Sequence, residues 1–265
     1  MILKLFTSLI FMLHFMCSVT MSAETELVDL GRWNDAELEK IIISAKQIDN
    51  PGDRIVALSS HFVDTPYAAN TLIGGPQETE QLVINLSGFD CFTFLDVVEA
   101  LRRTSDVEDF PEQLKKVRYR DGTVAYEKRR HFFSDWVAGS TTAINDVTAE
   151  VGQSNAQSVA KQLNRKSDGT LWLPEITATQ REILFIPSEK IDTKVLSGLQ
   201  SGDYVGIFTA YAGLDVTHTG LIVKSKDKIM LRHASSRSSA KRVVDEDLLN
   251  YLQGKPGLVV YRANP

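Results

Sequence analysis

Ser87-Gly88-Phe89-Asp90-Cys91-Phe92-Thr93-Phe94-Leu95 is the stretch from which both fold and chemistry can be read. Gly88 permits a tight loop, Asp90 is a favoured helix N-cap type, and Cys91 then opens a helix. Phe94, Leu95, Val98 and Leu101 recur at helical spacing, so the helix is expected to run to about Arg103. A thiol at such a start faces unpaired backbone N–H groups and the positive end of the helix dipole, which is expected to lower its pKa. The same N–H groups are placed to hold the oxyanion of a tetrahedral intermediate. A cysteine that only fills a core gains nothing from the Gly-x-Asp ahead of it, so Cys91 reads as a nucleophile.

Upstream, Asn34-Asp35 caps a helix over 34–48 that places Leu38, Ile41, Ile42 and Ala45 on one face. Pro51 opens a second helix to Phe62, with Ile55, Leu58 and Phe62 together. Thr65-Pro66-Tyr67 and Gly74-Gly75-Pro76 mark a loop. Downstream, Val117–Tyr126, with Asp121-Gly122 inside, is expected to be a hairpin, and Asp146–Leu163 to be helical. Tyr204–Thr209, Thr217–Lys224, Lys228–His233 and Leu258–Tyr261 are short β-rich runs separated by turns. Helices first and strands later point to an α+β domain with an antiparallel sheet.

The chain has 265 residues, a formal net charge of −5, and 43% hydrophobic and 24% charged residues, which makes disorder a poor explanation and nucleic acid a poor partner. Residues 1–23 carry Lys4, an apolar run from Leu5 to Val19 and a small-residue exit, the pattern of a secretory signal peptide. Its removal would leave 242 residues, a charge of −6 and one of the two cysteines, Cys91. The remainder, 24–265, reads as one catalytic domain with an insertion at about 104–200. The expected location is therefore periplasmic or secreted, without stable membrane insertion after cleavage; nothing in the sequence indicates an oligomeric state.

No G-x-S-x-G, phosphate-binding loop, G-x-G-x-x-G or H-E-x-x-H occurs, which leaves Cys91 and the four histidines of the mature chain: His61, His131, His218 and His233. His218 opens one strand and His233 ends the next, fifteen residues on, so the two suit neighbouring strands. An imidazole beside a thiol can take its proton, and a second polar side chain can orient that imidazole. Spacing alone leaves open whether these are merely exposed strand histidines. His61, on a helix face beside Phe62, reads as structural.

Thr65-Pro66-Tyr67, Gly74-Gly75, Gly88-Phe89-Asp90-Cys91, Gly202-Asp203, His218-Thr219-Gly220-Leu221-Ile222-Val223 and His233-Ala234-Ser235 follow the order seen in NlpC-type papain-like cell-wall cysteine hydrolases. Asp90-Cys91-Phe92-Thr93-Phe94, Arg130-His131-Phe132-Phe133-Ser134-Asp135-Trp136, Gly213-Leu214-Asp215-Val216-Thr217-His218 and Arg232-His233-Ala234-Ser235 resemble the signatures of their N-acetylmuramoyl-L-alanine amidase-like branch. Coverage runs from about Asp35 to the C-terminus.

That resemblance implies a papain-like fold, with the nucleophile at a helix start packed on an antiparallel sheet. It implies Cys91 as nucleophile, His218 as base and then acid, His233 as its orienting partner, and Tyr67 as part of the substrate site. Asp90, Thr93, Arg130, His131 and Asp135 complete the candidate substrate-binding set, although Asp90 is a cap first and the 129–136 aromatics suit an anchor to the core. The implied substrate is peptidoglycan or a muropeptide, cut between N-acetylmuramic acid and L-alanine, with no cofactor or metal required. Phe92-Thr93 departs from the serine that often follows Asp-Cys in the endopeptidase branch. Cleavage of the stem peptide between L-Ala and D-Glu is the nearest alternative. A non-catalytic peptidoglycan-binding module and a zinc amidase using His131, His218 and His233 are more distant ones.

Overall fold

In the computed structural model, residues 26–139 and 143–264 are described. The expected leader over 1–23, Cys17 included, lies outside the described residues. β1 (Glu26–Asp29) pairs in parallel with β2 (Leu82–Asn85), and α1 (Asp35–Lys46) and α2 (Pro51–Ser60) lie between them in sequence. Asn34 caps α1 by accepting from the Glu37 amide while Glu37 reaches back to Asn34, a reciprocal cap that fixes the helix start. Leu38, Ile41, Ile42 and Ala45 are all buried, as their spacing predicts.

α3 (Cys91–Arg103) is the central helix: every residue from Thr93 to Arg102 is buried. Its charged positions are therefore paired. Asp96 accepts from Arg118 Nε (2.9 Å), while Glu99 takes both Arg102 (2.8 Å) and the Tyr204 hydroxyl (2.9 Å). α3 packs on α2, on α4 (Phe110–Arg118) and on the main sheet.

Among the described residues that sheet has eight strands, all antiparallel: β3 (Ile144–Asp146), β4 (Gln157–Leu163), β5 (Thr179–Pro187), β6 (Tyr204–Phe208), β7 (Val216–Lys224), β8 (Ile229–Ala234), β9 (Val243–Asp247) and β10 (Gly257–Ala263). The order is β4-β5-β10-β6-β7-β8-β9, with β3 also on β10. Among the described residues, three short α-helices interrupt the strands: α5 (Thr148–Gly152), α6 (Thr193–Gly198) and α7 (Leu248–Leu252). Val259 and Tyr261 of β10 join the core built on α1–α4, while Leu258 and Val260 join the core of α5–α7. Burial of both faces explains the unbroken apolar run at 258–261, which would alternate with polar residues on a one-sided sheet.

Two expectations in the middle of the chain fail. The 117–126 segment is not a hairpin. Asp121 (φ 57°) and Gly122 (φ 67°) do adopt the left-handed conformation that an Asp-Gly turn wants, but Val117 and Arg118 belong to α4. In place of a ladder the fold-back carries one isolated β-bridge, between Tyr119 and Arg129. Nor is 146–163 one helix: α5 stops at Gly152, where a Cβ would lie 2.8 Å from Ile186, and 157–163 pairs with all of 179–185. Local propensity there yields to the ladder with β5. Through β4 and β5, the stretch read as an insertion extends the main sheet.

Candidate active site

Asp90 caps α3, with its Oδ1 accepting from the amides of Phe92 (2.9 Å) and Thr93 (2.7 Å). Thr93 Oγ1 accepts in return from the Asp90 amide (3.0 Å). This cap redirects the helix start. The 92 and 93 amides serve the Asp90 carboxylate, and the Phe94 amide serves the Asp90 carbonyl (3.1 Å), so none is left for an oxyanion. Of the α3 amides expected to do that work, the one remaining is that of Cys91 itself.

The cap also reverses the expected acidity. Burial, and then the adjoining Asp90 carboxylate, push the Cys91 thiol up from its ordinary 9.0 to about 11, although the amide and hydroxyl of Thr219 and the amide of Cys91 favour the thiolate. The dipole benefit is taken by Asp90, whose negative charge then opposes a second one beside it.

β7 brings Thr219 to Cys91: its hydroxyl donates to the Cys91 carbonyl at 2.8 Å. The preceding residue, His218, places Nε2 2.6 Å from His233 Nδ1, and His233 Nε2 lies 3.1 Å from Glu246 Oε1. Arg237 Nη1 holds the other Glu246 oxygen at 2.7 Å. Tyr251 of α7 backs the pair, its ring 5.9 Å from that of His218 and 5.0 Å from that of His233. Tyr251 also lies within electrostatic reach of Cys91, which together with burial helps to push its phenol to about 12. Cysteine, both histidines and Tyr251 thus share one locality. Among the described residues no hydrogen bond joins Cys91 to His218 at rest.

The β7–β8 crossing is tight. A Cβ on Gly220 would lie 2.6 Å from Leu231 Cδ1 and 3.0 Å from His233 Cβ, so a glycine is what lets His233 approach. Burial, followed by the charges of His233, Lys255 and Arg237, pushes His218 down to about 3. Thiol and imidazole both rest neutral at neutral pH.

Tyr67 reaches the same region along a short parallel bridge to Phe89, with the Ala68 amide on the Phe89 carbonyl (2.8 Å) and the Phe89 amide on the Pro66 carbonyl (3.1 Å). Gly88 serves this approach rather than a turn: a Cβ there would sit 2.8 Å from Ala68 Cβ. Burial, and then the charges of Cys91 and Asp90, raise the Tyr67 pKa, so its phenol lies within electrostatic reach of the thiol.

Arg130, His131, Asp135 and Thr93 are placed otherwise. Thr93 is absorbed in the cap. Arg130 Nη1 ties down the carbonyls of Lys116, Val117 and Tyr119 (2.7, 2.8 and 2.9 Å). Asp135 accepts from the Phe132 amide (3.0 Å) and from Arg181 (2.8 Å). His131 Nε2 is bonded to the Tyr126 carbonyl (2.8 Å). His131 and Asp135 line a cavity of about 330 Å³ that does not include Cys91, His218 or His233. His131 is thus not brought to the histidine pair, and among the described residues no group of three or more His, Cys, Asp or Glu is arranged to hold a metal ion.

Thr219, Glu246, Arg237 and Tyr251 escape a reading of the sequence. Glu246 lies on β9, whose Val244 is the register partner of His233. Residue 246 therefore falls on the diagonal of the same face, a placement visible only once the ladder is known.

Fold and site together define a mixed α/β protein in which a helix-start cysteine shares one locality with a His–His–Glu hydrogen-bond chain. The chain belongs to the N-acetylmuramoyl-L-alanine amidase-like (AmiA-like) family, whose model matches residues 57–258. It is similar to the structure of an N-acetylmuramoyl-L-alanine amidase from Bacteroides uniformis (TM-score 0.65, 27% identity, 81% of this chain and 99% of that one). A Legionella pneumophila protein shares the fold (TM-score 0.70, 21% identity, 87% of this chain and 94% of that one). No curated protein matches the sequence.

Proposed function

We propose that the protein is an exported, cysteine-dependent amidase of the papain-like, NlpC-type class that hydrolyses the bond between N-acetylmuramic acid and L-alanine in peptidoglycan or its fragments. Family membership supports the substrate class. The observation that carries the chemistry is the hydrogen-bond chain from His218 through His233 to Glu246, beside a cysteine gripped by Thr219.

With Nε2 of His218 committed to His233, its Nδ1 is the nitrogen left to take the Cys91 proton. Sulfur then bonds to the lactyl carbonyl carbon, and the oxyanion is held by the Cys91 amide and the Tyr67 hydroxyl. His218 returns the proton to the L-alanine nitrogen as the C–N bond breaks, leaving a muramoyl thioester on Cys91. Water, deprotonated by His218, attacks that thioester and releases N-acetylmuramic acid with the thiol restored. Because the resting pair is neutral, proton transfer and attack occur together rather than from a preformed thiolate.

The test is digestion of a defined N-acetylmuramoyl-tripeptide followed by mass spectrometry. Free N-acetylmuramic acid with an intact tripeptide is expected. A muramoyl-L-alanine product would instead mark an endopeptidase, and an unchanged substrate a binding module. Export is tested by fractionating cells that express the full chain. Recovery of a mature protein beginning near residue 24 outside the cytoplasm is expected.

A further inference from the structure

We propose that Glu246, held by Arg237, is a positioning residue that sets the tautomers of His233 and His218 so that a lone pair faces the thiol. The proposal rests on the assignment of Cys91 and His218 as the reacting pair.

The argument is one of donors and acceptors. Both Glu246 oxygens are spoken for: Oε2 accepts from Arg237 Nη1 at 2.7 Å, and Oε1 faces His233 Nε2 at 3.1 Å. A carboxylate only accepts, so His233 Nε2 carries the hydrogen. A neutral imidazole with Nε2–H has a lone pair on Nδ1, and His233 Nδ1 sits 2.6 Å from His218 Nε2. His218 must therefore donate from Nε2, which leaves its own Nδ1 as the acceptor. One carboxylate, two residues removed from the sulfur, thus decides which nitrogen of His218 is basic.

The groups around the pair are mixed in sign. Glu246 on β9 faces His233, Asp245 acts on it from the opposite face of β9, where it pairs with Arg232, Arg237 comes from the β8–β9 connection, Tyr251 packs from α7, and Lys255 acts on His218. Burial holds both rings below the ordinary histidine value, so at neutral pH the chain is one of neutral tautomers. His233 is fully buried and Glu246 half-buried, so solvent competes poorly for the link.

Glu246→Gln tests this with little change of shape. Arg237 can only donate, so it keeps the amide oxygen and turns the amide NH₂ toward His233 Nε2. That nitrogen becomes the acceptor, both imidazoles change tautomer, and His218 presents Nδ1–H to the thiol. Histidine-labelled full-length protein is read by ¹⁵N NMR, which distinguishes Nδ1–H from Nε2–H in each ring. The expected result is Nε2–H for both rings in the wild type and Nδ1–H for both in Glu246→Gln. Muropeptide cleavage is expected to fall at least about 100-fold in kcat with KM within about threefold. Glu246→Ala, which leaves the tautomer free, is expected to lose less than the isosteric Gln variant, an ordering that a purely structural role would reverse. Unchanged tautomers in Glu246→Gln, or a Gln variant as active as wild type, would overturn the proposal. Tautomers that move as stated in a protein whose wild type cuts no muropeptide would uphold the relay and overturn the proposed reaction instead.

Discussion

Asp90→Asn should make Cys91 more reactive, not less. Asparagine keeps an oxygen for the amides of Phe92 and Thr93, now 2.9 and 2.7 Å from Asp90 Oδ1, and is itself a good N-cap. What is lost is the carboxylate charge beside the thiol. Burial is the larger cause of the rise from 9.0 to about 11, and it remains, so the variant's value should fall between those two. A reasonable share for the charge gives about three- to tenfold more thiolate at neutral pH. A less basic thiolate is also a weaker nucleophile, so the net gain in alkylation rate is about two- to fourfold. The assay is carboxyamidomethylation of intact protein, followed by mass spectrometry between pH 7 and 10. The wild-type rate should climb roughly tenfold per pH unit without levelling in that range, and the variant should bend over at lower pH. A wild-type plateau beginning below pH 8, or a variant no faster than wild type, would refute the reasoning.

Three further outcomes follow from the same geometry. His218 must be neutral to accept the thiol proton, and His233 must be neutral to accept from His218; burial holds His218 down at about 3 and His233 below its ordinary value, so activity is lost only below the ordinary histidine range. The profile of kcat/KM should be flat from about pH 7 to 9 with its acid limb below the ordinary histidine value, and a midpoint at or above 6.5 would contradict it. Gly220→Ala inserts a methyl 2.6 Å from Leu231 Cδ1 and 3.0 Å from His233 Cβ, which should cost about 1–3 kcal/mol in urea denaturation and reduce activity besides. Arg118→Met removes the partner of buried Asp96 and the donor to the Val83 carbonyl (2.6 Å), and should destabilise the protein by about 3 kcal/mol or more in the same measurement.

Periodicity made α1, α2 and α3 legible almost residue by residue, because each shows its cap and its apolar stripe in the sequence itself. The strands carrying His218 and His233 were legible for the same local reason. What resisted was non-local. Residues 157–163 have no strong strand signal of their own and become β4 through pairing with β5. At the candidate site, Cys91 and both histidines stand in recognisable local contexts, whereas Glu246 and Arg237 acquire meaning only from the β8–β9 register and the turn that follows His233. Asp90 was legible as a cap, but the consequence that its charge opposes the thiolate depends on how deeply the sulfur is buried, which no pattern of residues reports.

The central claim is that Cys91 performs the hydrolysis. The most direct measurement is digestion of N-acetylmuramoyl-tripeptide by wild type and by Cys91→Ala, matched for folding by thermal melting and read by mass spectrometry of the products. Free N-acetylmuramic acid should form with the wild type and be undetectable with the variant. Equal product from a folded Cys91→Ala protein would contradict the account.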